Sequence, residues 1–413
     1  MQVEIMRHAL DRVPISLIID DSTLLVNLNY FFIRDRNIAA NENRRWEDIP
    51  VVHPESFTRE FAEWCVENGV KGKFSVVPCP AALGRIDQGL PLFSKAQQES
   101  WLKMCREVIC QAFDITPEMI THTFVVDLKT FQPLESRIWE QYEWQNLPTD
   151  QEELLIEYIA TACAILHNVG LTPEGVTSPG GFGGHPLELY AKVAGIAIRQ
   201  VTGNPTPYFF KRFAGETVET PVWYPEREKG IAVGEILAST GDWTGSWTGY
   251  DEVSVDKYIT SDLQGGRIPA LINAGEPAIF CSHWQGFYGM HDDDRRGFNT
   301  LKAVVNRLKQ FDPDGVKMQW RKCSEITNYA CAKEMANISV EGDTINLDLP
   351  VRVPDFTLRL KGVTAKGISV DGIPLNQVKS RQAFKSGTFF INGDSTLIAF
   401  NPKDRQATIA IKD

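Results

Sequence analysis

Two adjacent carboxylates, Asp20 and Asp21, directly follow the apolar run ISLII at residues 15–19. A continuous run of this kind is typical of a strand buried on both faces, so both carboxylates are expected where that strand ends. Because neighbouring side chains of a strand point to opposite sides, one carboxylate can face a metal ion or substrate while the other accepts a proton. The pair therefore indicates acid–base chemistry.

A histidine and another carboxylate suited to the same chemistry lie later in the chain. His283 directly follows the apolar run PAIFCS, and imidazole has an ordinary pKa close to neutrality. Asp242 lies in the segment GDWTGSWTGY. Since both apolar runs end in ionisable groups, we expect one set of residues to converge at one end of the fold. The set is Asp20, Asp21, His122, Asp242 and His283.

Aromatic side chains near these groups are candidates for contacting substrate. Trp243 and Trp247 are separated by small residues, and they either form a platform for a sugar ring or plug the rim of the fold. Trp284 and Tyr288 follow the run PAIFCSH, and His185 follows the glycine-rich segment GGFGG. That segment lacks the Lys-Ser/Thr of a phosphate-binding loop and the spacing of a dinucleotide fingerprint, so no nucleotide cofactor is expected.

The elements that must position these residues follow a β/α pattern. From about residue 14 to 335, β-type runs alternate with helical patterns, which predicts β/α units around a mainly parallel sheet or barrel. Apolar stripes predict helices over 57–68 and 152–168. The connection over 22–55 is longer than an ordinary β/α loop, and such loops usually shape a site.

The chain changes character after residue 335. Residues 336–413 contain short alternating runs separated by Gly, Asp and Asn turns, and they contain no His, Cys or Trp. This pattern predicts a small antiparallel β-sandwich without chemistry of its own. We therefore expect two domains, a β/α domain over 1–335 and an all-β domain over 336–413.

Charge and composition exclude several classes of function. The net charge of −11 opposes binding to nucleic acid or to an anionic membrane surface. No segment approaches the ~20 apolar residues that span a bilayer. The eight cysteines form no regular framework, and the first residues do not resemble a signal peptide. A cytoplasmic protein is therefore expected, or a secreted or periplasmic one if a leader precedes this sequence.

Five segments, in this order, resemble the motifs of the polysaccharide deacetylase (NodB-homology) family. IIDDS at 18–22 is similar to that family's Thr-Phe-Asp-Asp-Gly motif, and residues 55–78 are similar to its Gly-Val-Lys-Ala-Thr and Phe-Phe-Val passage. SPGGFG at 178–183, STGDWTG at 239–245 and IFCSHW at 279–284 resemble its Arg-x-Pro-x-Gly, Asp-x-x-Asp-Trp and Leu-x-His motifs. The resemblance covers roughly residues 14–330. It implies the fold class α/β, with an irregular (β/α) barrel of seven or eight strands followed by the all-β domain.

The resemblance also implies a role for each matched residue. Asp20 would be the general base toward water, and Asp21 would be a ligand to a divalent metal ion of the zinc type. His283 would be the general acid on the leaving group, and Asp242 would orient it. These are the roles that metal-assisted removal of an acetyl group from a sugar requires.

The metal-binding histidines of that family are spaced His-x-x-x-His, and this chain departs from the pattern. Four residues after His122 stands Val126, which cannot bind a metal, and the next residue, Asp127, is the candidate replacement. His122 itself is either a ligand or a hydrogen-bonded strand residue. Two further positions differ, with Thr177 where an arginine would hold the base and Ser239 in place of an aspartate.

These departures leave three functions open for a carbohydrate or acetylated sugar partner. The first is a carbohydrate hydrolase that removes acetyl groups. The second is a glycoside hydrolase that uses paired carboxylates among Asp20, Asp21 and Asp242. The third is a carbohydrate-binding protein that kept the barrel and lost catalysis, since Val126, Thr177 and Ser239 cannot perform the expected chemistry.

Overall fold

The structure is a computed structural model that describes residues 1–23, 25–40, 45–214, 218–289 and 295–412. The long connection over 22–55 therefore lies partly outside the described residues. Within the described part of that connection a helix forms over Leu28–Ala40, where the sequence analysis expected only a loop.

Within the part of the chain that the structure describes, ten strands and eleven α-helices form before the all-β region. The strands are β1 (Gln2–Ile5), β2 (Val13–Ile19), β3 (Gly72–Ser75), β4 (Phe113–Thr116), β5 (Gly175–Thr177), β6 (Tyr208–Phe213), β7 (Val222–Glu226), β8 (Ile231–Ala238), β9 (Ala278–Phe280) and β10 (Met318–Trp320). The helices are α1 (Leu28–Ala40), α2 (Glu55–Asn68), α3 (Lys95–Met104), α4 (Cys110–Ala112), α5 (Glu152–Asn168), α6 (Leu187–Thr202), α7 (Val255–Tyr258), α8 (Arg267–Asn273), α9 (Trp284–Tyr288), α10 (Arg296–Phe311) and α11 (Cys323–Met335). The helix predicted over 152–168 matches α5, and the one predicted over 57–68 begins two residues earlier, at Glu55.

Parallel pairing dominates this part of the chain. One sheet has the order β10–β2–β3–β4, with β9 also paired to β2, and a second has the order β5–β6–β8–β7. All of these pairs are parallel except β7 with β8. Isolated parallel bridges at Ile115–Pro173 and Glu118–Thr177 connect the two sheets. The mixed α/β class is therefore confirmed.

Burial explains why β2 lies in the middle of its sheet. All seven residues of β2 are buried, as the continuous apolar run predicts.

The turn after α2 also follows directly from the sequence, because Gly69 adopts φ 70° there. Glycine adopts this left-handed conformation without the strain that a side chain would add, so the helix ends and β3 begins three residues later.

The C-terminal residues form two five-stranded sheets. The strands are β11 (Asn337–Glu341), β12 (Thr344–Asp348), β13 (Phe356–Lys361), β14 (Gly367–Val370), β15 (Ile373–Pro374), β16 (Asn376–Val378), β17 (Thr388–Asn392), β18 (Ser395–Phe400) and β19 (Gln406–Lys412). Their orders are β1–β13–β18–β17–β16 and β11–β12–β19–β14–β15. Residues of both sheets share one apolar cluster that includes Leu358, Ile398 and Ile409. The predicted C-terminal β region is therefore confirmed.

The first strand of the chain belongs to this C-terminal region. β1 pairs antiparallel with β13, with Gln2 opposite Lys361 and Ile5 opposite Leu358. The sequence pattern had placed these residues in the first domain.

All eight cysteines are free thiols. Among the described residues, no helix combines the length and apolar character that crossing a membrane requires.

Candidate active site

Ionisable side chains gather where several parallel strands end. Asp20 and Asp21 follow β2, and Glu118 comes two residues after β4. Asp242 and His283 follow β8 and β9 by four and three residues. The carboxyl ends of parallel strands are the usual place for catalytic groups in β/α folds, because the loops there approach one another.

The pairing of β2 with β9 fixes the distance between the first and last of these groups. Asp20 and His283 form a parallel bridge, in which the Asp20 N–H donates to the Ser282 carbonyl at 3.0 Å. The Trp284 N–H in turn donates to the Asp20 carbonyl at 2.9 Å. Both backbone polar groups of Asp20, its N–H and its carbonyl, are therefore hydrogen-bonded to the segment that follows β9.

Asp21, Glu118 and His122 form a buried cluster that could hold a metal ion. His122 Nε2 lies 2.7 Å from Asp21 Oδ1 and 3.5 Å from Glu118 Oε1. One ligand atom from each of these residues lies within 4.8 Å of the other two. The Asp21 N–H also donates to Glu118 Oε2 at 2.8 Å, which fixes the carboxylate.

The charges in this cluster favour a cation. Burial alone would lower the pKa of His122, but Asp21 and Glu118 outweigh it and raise that pKa well above its ordinary value. Burial would likewise raise the pKa of Asp21, yet His122 lowers it to about 2. Because the two carboxylates retain a proton on the imidazole, a divalent ion could replace that proton among the same donors.

A hydrogen-bonded pair of His283 and Asp242 lies at the next strand ends. His283 Nδ1 lies 2.7 Å from Asp242 Oδ2, while Asp242 Oδ1 accepts hydrogen bonds from the N–H and hydroxyl of Thr244 at 3.0 and 2.7 Å. Burial would lower the pKa of His283, but Asp21 and Asp242 raise it to about 10. The raised pKa favours the protonated imidazole near neutral pH, and the side chain is 21% exposed.

Asp20 carries a carboxylate whose proton affinity is higher than usual. Burial raises its pKa to about 6, although the ammonium of Lys73 acts in the opposite direction. Lys73 Nζ forms an ion pair with Asp20 Oδ1. A carboxylate with a pKa near 6 can accept a proton near neutral pH and release it afterwards.

Asp127 does not join the cluster. Its carboxylate accepts hydrogen bonds from the N–H groups of Lys129 and Thr130 at 3.1 and 2.8 Å, and from the Thr130 hydroxyl at 3.0 Å. These contacts close the turn of a hairpin in which Val126 pairs with Pro133. The carboxylate near His122 comes instead from Glu118, four residues before it, and not from Asp127, which follows it.

The predicted substrate-binding aromatics occupy different environments. Trp284 is 1% exposed and packs in the core against Phe57 and Phe61, with ring centroids 5.2 Å apart in both cases. Trp243 is half-buried, and its ring packs edge-on against Tyr258 at 4.9 Å. Both indoles therefore contribute to packing around the site.

Trp247 is the predicted aromatic residue whose ring contacts lead, through Phe32, to the cluster of Asp21, Glu118 and His122. Its ring lies 5.7 Å from that of Phe32, which in turn lies 5.5 Å from the imidazole of His122, both with edge-to-face geometry. Phe32 also contacts Trp139 at 5.7 Å. An aromatic surface thus adjoins one side of the cluster.

Tyr288 and His185 take part in packing and backbone contacts. The Tyr288 ring contacts His53 at 4.8 Å and Phe57 at 5.1 Å. His185 is exposed, and its backbone exchanges hydrogen bonds with Gln145 and Leu147, both at 2.8 Å. These contacts do not bring either side chain to the acidic cluster.

Two residues that the sequence analysis missed had a signal in the sequence. Glu118 lies four residues before His122, immediately after the polar end of a buried strand, so the required spacing existed upstream. Lys73 and Ser75 alternate with the apolar residues Phe74 and Val76, which places two polar groups on the same face of a buried strand. A buried lysine needs a carboxylate partner, and this rule points from Lys73 to a site.

No protein-family model matches this chain, and no curated protein matches it either. The solved structures that are similar to it include an Anoxybacillus α-amylase, described as a new glycosyl hydrolase subclass, with a TM-score of 0.33, 8% identity and coverage of 98% of this chain and 99% of that one. A Clostridium acetobutylicum glycoside hydrolase family 30 subfamily 8 xylanase has a TM-score of 0.34, 10% identity and coverage of 87% and 92%. A Thermotoga maritima α-fucosidase has a TM-score of 0.30, 10% identity and coverage of 99% and 97%. At these scores the similarities carry no argument about the activity of this chain.

Proposed function

We propose that this chain is a carbohydrate hydrolase that removes acetyl groups from a sugar or polysaccharide with the help of a divalent metal ion. We also propose that its two parallel sheets form one irregular (β/α) barrel whose mouth holds the site. The observation that carries the activity is the buried cluster of Asp21, Glu118 and His122 beside Asp20.

The donor set fits a catalytic metal ion. Asp21, Glu118 and His122 offer two carboxylates and one imidazole, and three protein ligands with an open fourth position are typical of catalytic zinc. The side-chain amide of Gln141 lies 3.3 Å from His122 Nδ1 and so supports the orientation of the ring. A divalent ion bound there would polarise the acetyl carbonyl and lower the pKa of its water.

The remaining residues supply the proton transfers. Asp20 accepts the proton of the attacking water, because its pKa of about 6 suits a base near neutral pH. His283 donates a proton to the departing sugar oxygen or nitrogen, because its pKa of about 10 keeps it protonated. Asp242 holds the ring through Nδ1, which directs Nε2 to this task.

Three altered positions motivate the alternative of an inactive carbohydrate-binding protein: Val126 cannot bind a metal, Thr177 cannot pair with the base, and Ser239 replaces an aspartate. Glu118 supplies a carboxylate at the same spacing before His122, and Lys73 supplies a cation next to Thr177. The chemistry expected at the first two of these positions is therefore available from other residues, which supports a catalytic function.

The experiment that tests the proposal measures acetate release from acetylated oligosaccharides by zinc-loaded protein. We expect activity that a chelator abolishes and added zinc restores, and that Asp20→Asn reduces at least ~100-fold while the metal stays bound. Release of reducing sugar that a chelator does not affect would contradict the proposal and favour glycosidic cleavage by paired carboxylates. Sugar binding without any product would favour the carbohydrate-binding alternative.

A further inference from the structure

Lys73 is a fully buried lysine whose ammonium contacts three strands. Lys73 lies on β3, and its side chain is 0% exposed. Its Nζ donates to Asp20 Oδ1 at the end of β2, to Ser75 Oγ at 2.9 Å on β3, and to Thr177 Oγ1 at 2.7 Å on β5. An ammonium group has three hydrogens, so these contacts use all of them.

A network of hydroxyl groups fixes the position of that ammonium. Thr177 Oγ1 lies 2.9 Å from Thr116 Oγ1 and 3.4 Å from Ser75 Oγ. Since Thr177 and Ser75 accept hydrogen bonds from Lys73, their own hydrogens are directed toward other acceptors in the network. The ring of Phe210 lies 5.1 Å from Nζ and adds a favourable cation–π contact from β6.

The orientation of the Asp20 carboxylate depends on this ammonium. Asp20 is 6% exposed, and its backbone is already fixed by hydrogen bonds to Ser282 and Trp284. Rotation of the side chain is therefore its main remaining freedom. In the described part of the chain, Lys73 is the residue that forms a side-chain hydrogen bond with this carboxylate.

Other cations compete for the same carboxylate. His283 is protonated next to Asp20, and a metal ion held by Asp21, Glu118 and His122 would attract Asp20 as a further ligand. Asp20 is buried, and screening of such attractions by water is weak in a buried site. Without a fixed partner, Asp20 would turn toward one of them.

We propose that Lys73 is the positioning residue that holds the Asp20 carboxylate in place as the base and keeps it from becoming a metal ligand. This inference rests on the proposed function, because it assigns Lys73 an effect on the reaction that passes only through Asp20. The hydrogen bonds of the Lys73 ammonium go to Asp20, Ser75 and Thr177, and Lys73 is not one of the candidate metal ligands.

The test is a double-mutant cycle between Lys73 and Asp20. Lys73→Met should lower kcat roughly 100-fold and leave KM within about twofold, because a misplaced base slows the chemical step but does not weaken substrate binding. In the Asp20→Asn background, the same substitution should cause no further loss, since Lys73 acts through Asp20 alone. The control Lys71→Met removes a half-buried cation that pairs with Glu325 at 3.6 Å and should leave kcat unchanged.

Melting temperatures complete the cycle without relying on activity. Lys73→Met and Asp20→Asn should each lower the melting temperature. The decrease in the double variant should be smaller than the sum of the two single decreases, because the double variant leaves no unpaired buried charge. If the wild-type protein releases no acetate, the proposed function fails while the melting data still decide whether the two residues are coupled. Additive losses in kcat or in melting temperature, or a folded Lys73→Met variant with wild-type kcat, would overturn the inference. If Lys73→Met does not fold, the double variant is compared with Asp20→Asn, and a further loss of kcat overturns the inference.

Discussion

At the residue scale, the site depends on which partner each buried ionisable group has. Asp20 is paired with Lys73, Asp21 with His122, and Asp242 with His283. Among the described residues, the cation that Glu118 contacts is the shared imidazole of His122, at 3.5 Å. This surplus of negative charge in a buried cluster is what a bound divalent ion would neutralise.

His53 shows the opposite situation, a buried imidazole without a hydrogen-bond partner among the described residues. Burial lowers its pKa to about 3, because the charged form cannot be solvated there. In the unfolded chain the ordinary pKa near 6.5 returns, so only the unfolded state takes up a proton as the pH falls below that value. The stabilising contribution of neutral His53 is therefore present above pH 6.5 and is lost as the pH falls toward 3.

We predict that His53→Leu makes the stability of the protein less sensitive to acid. Between pH 7 and pH 5 the wild-type protein should lose about 2 kcal/mol of unfolding free energy through this group, and the variant should not. Urea unfolding at the two pH values measures the difference. His167→Leu, which removes an exposed histidine from α5, is the control and should keep the wild-type slope. Equal slopes in wild-type and His53→Leu protein would show that His53 is solvated or paired.

At the element scale, the turn over 118–122 carries two of the three candidate metal ligands. Glu140 holds this turn, since its carboxylate accepts hydrogen bonds from the N–H groups of Ile120, Thr121 and His122 at 3.1, 3.0 and 2.7 Å. The hydroxyl of Tyr158 on α5 donates to the same carboxylate at 2.6 Å. Glu140, which is not itself a candidate ligand, therefore holds the turn on which Glu118 and His122 lie.

We predict that Glu140→Gln weakens both folding and metal binding. The amide offers one acceptor oxygen where the carboxylate offers two, so the unfolding free energy should fall by about 2–3 kcal/mol. Zinc affinity should fall roughly 10-fold, because His122 loses its support. Tyr158→Phe removes one donor and leaves the three N–H contacts, so it should cost only about 1 kcal/mol and keep the zinc affinity. Chemical denaturation and zinc titration measure both effects, and an unchanged zinc affinity in Glu140→Gln would contradict this role.

Local patterns predicted the elements better than the contacts between them. The buried run before Asp20 and the apolar stripe of α5 each specify one element, because a strand or a helix follows from the pattern of apolar residues within one short segment. The helix α1 was missed because its residues were interpreted as a loop that shapes the site. The partners Lys73 and Glu118 lie 53 and 97 residues from the groups they contact, and one sequence does not reveal which strands become neighbours.

At the scale of the whole molecule, the β/α region contacts the C-terminal sheets through both its first strand and its last helix. β1 crosses to pair with β13, so the N-terminal strand is part of the C-terminal sheets. Ala232 of β8 and Tyr329 and Met335 of α11 belong to the same apolar cluster as the core of those sheets. The change from mixed α/β to all-β structure occurs near the boundary predicted at residue 335, and the two regions share apolar contacts across it. The division into two domains remains a prediction.

The central claim is that Glu118, and not Asp127, completes a metal site with Asp21 and His122. The most direct measurement is the zinc content and affinity of purified wild-type, Glu118→Gln and Asp127→Ala proteins, by elemental analysis and competition with a chelating dye. We predict one tightly bound zinc ion per chain in the wild-type and Asp127→Ala proteins, and an affinity at least ~100-fold weaker in Glu118→Gln, because an amide is a poor replacement for a carboxylate ligand. Wild-type zinc binding by Glu118→Gln, or loss of zinc from Asp127→Ala, would contradict the account.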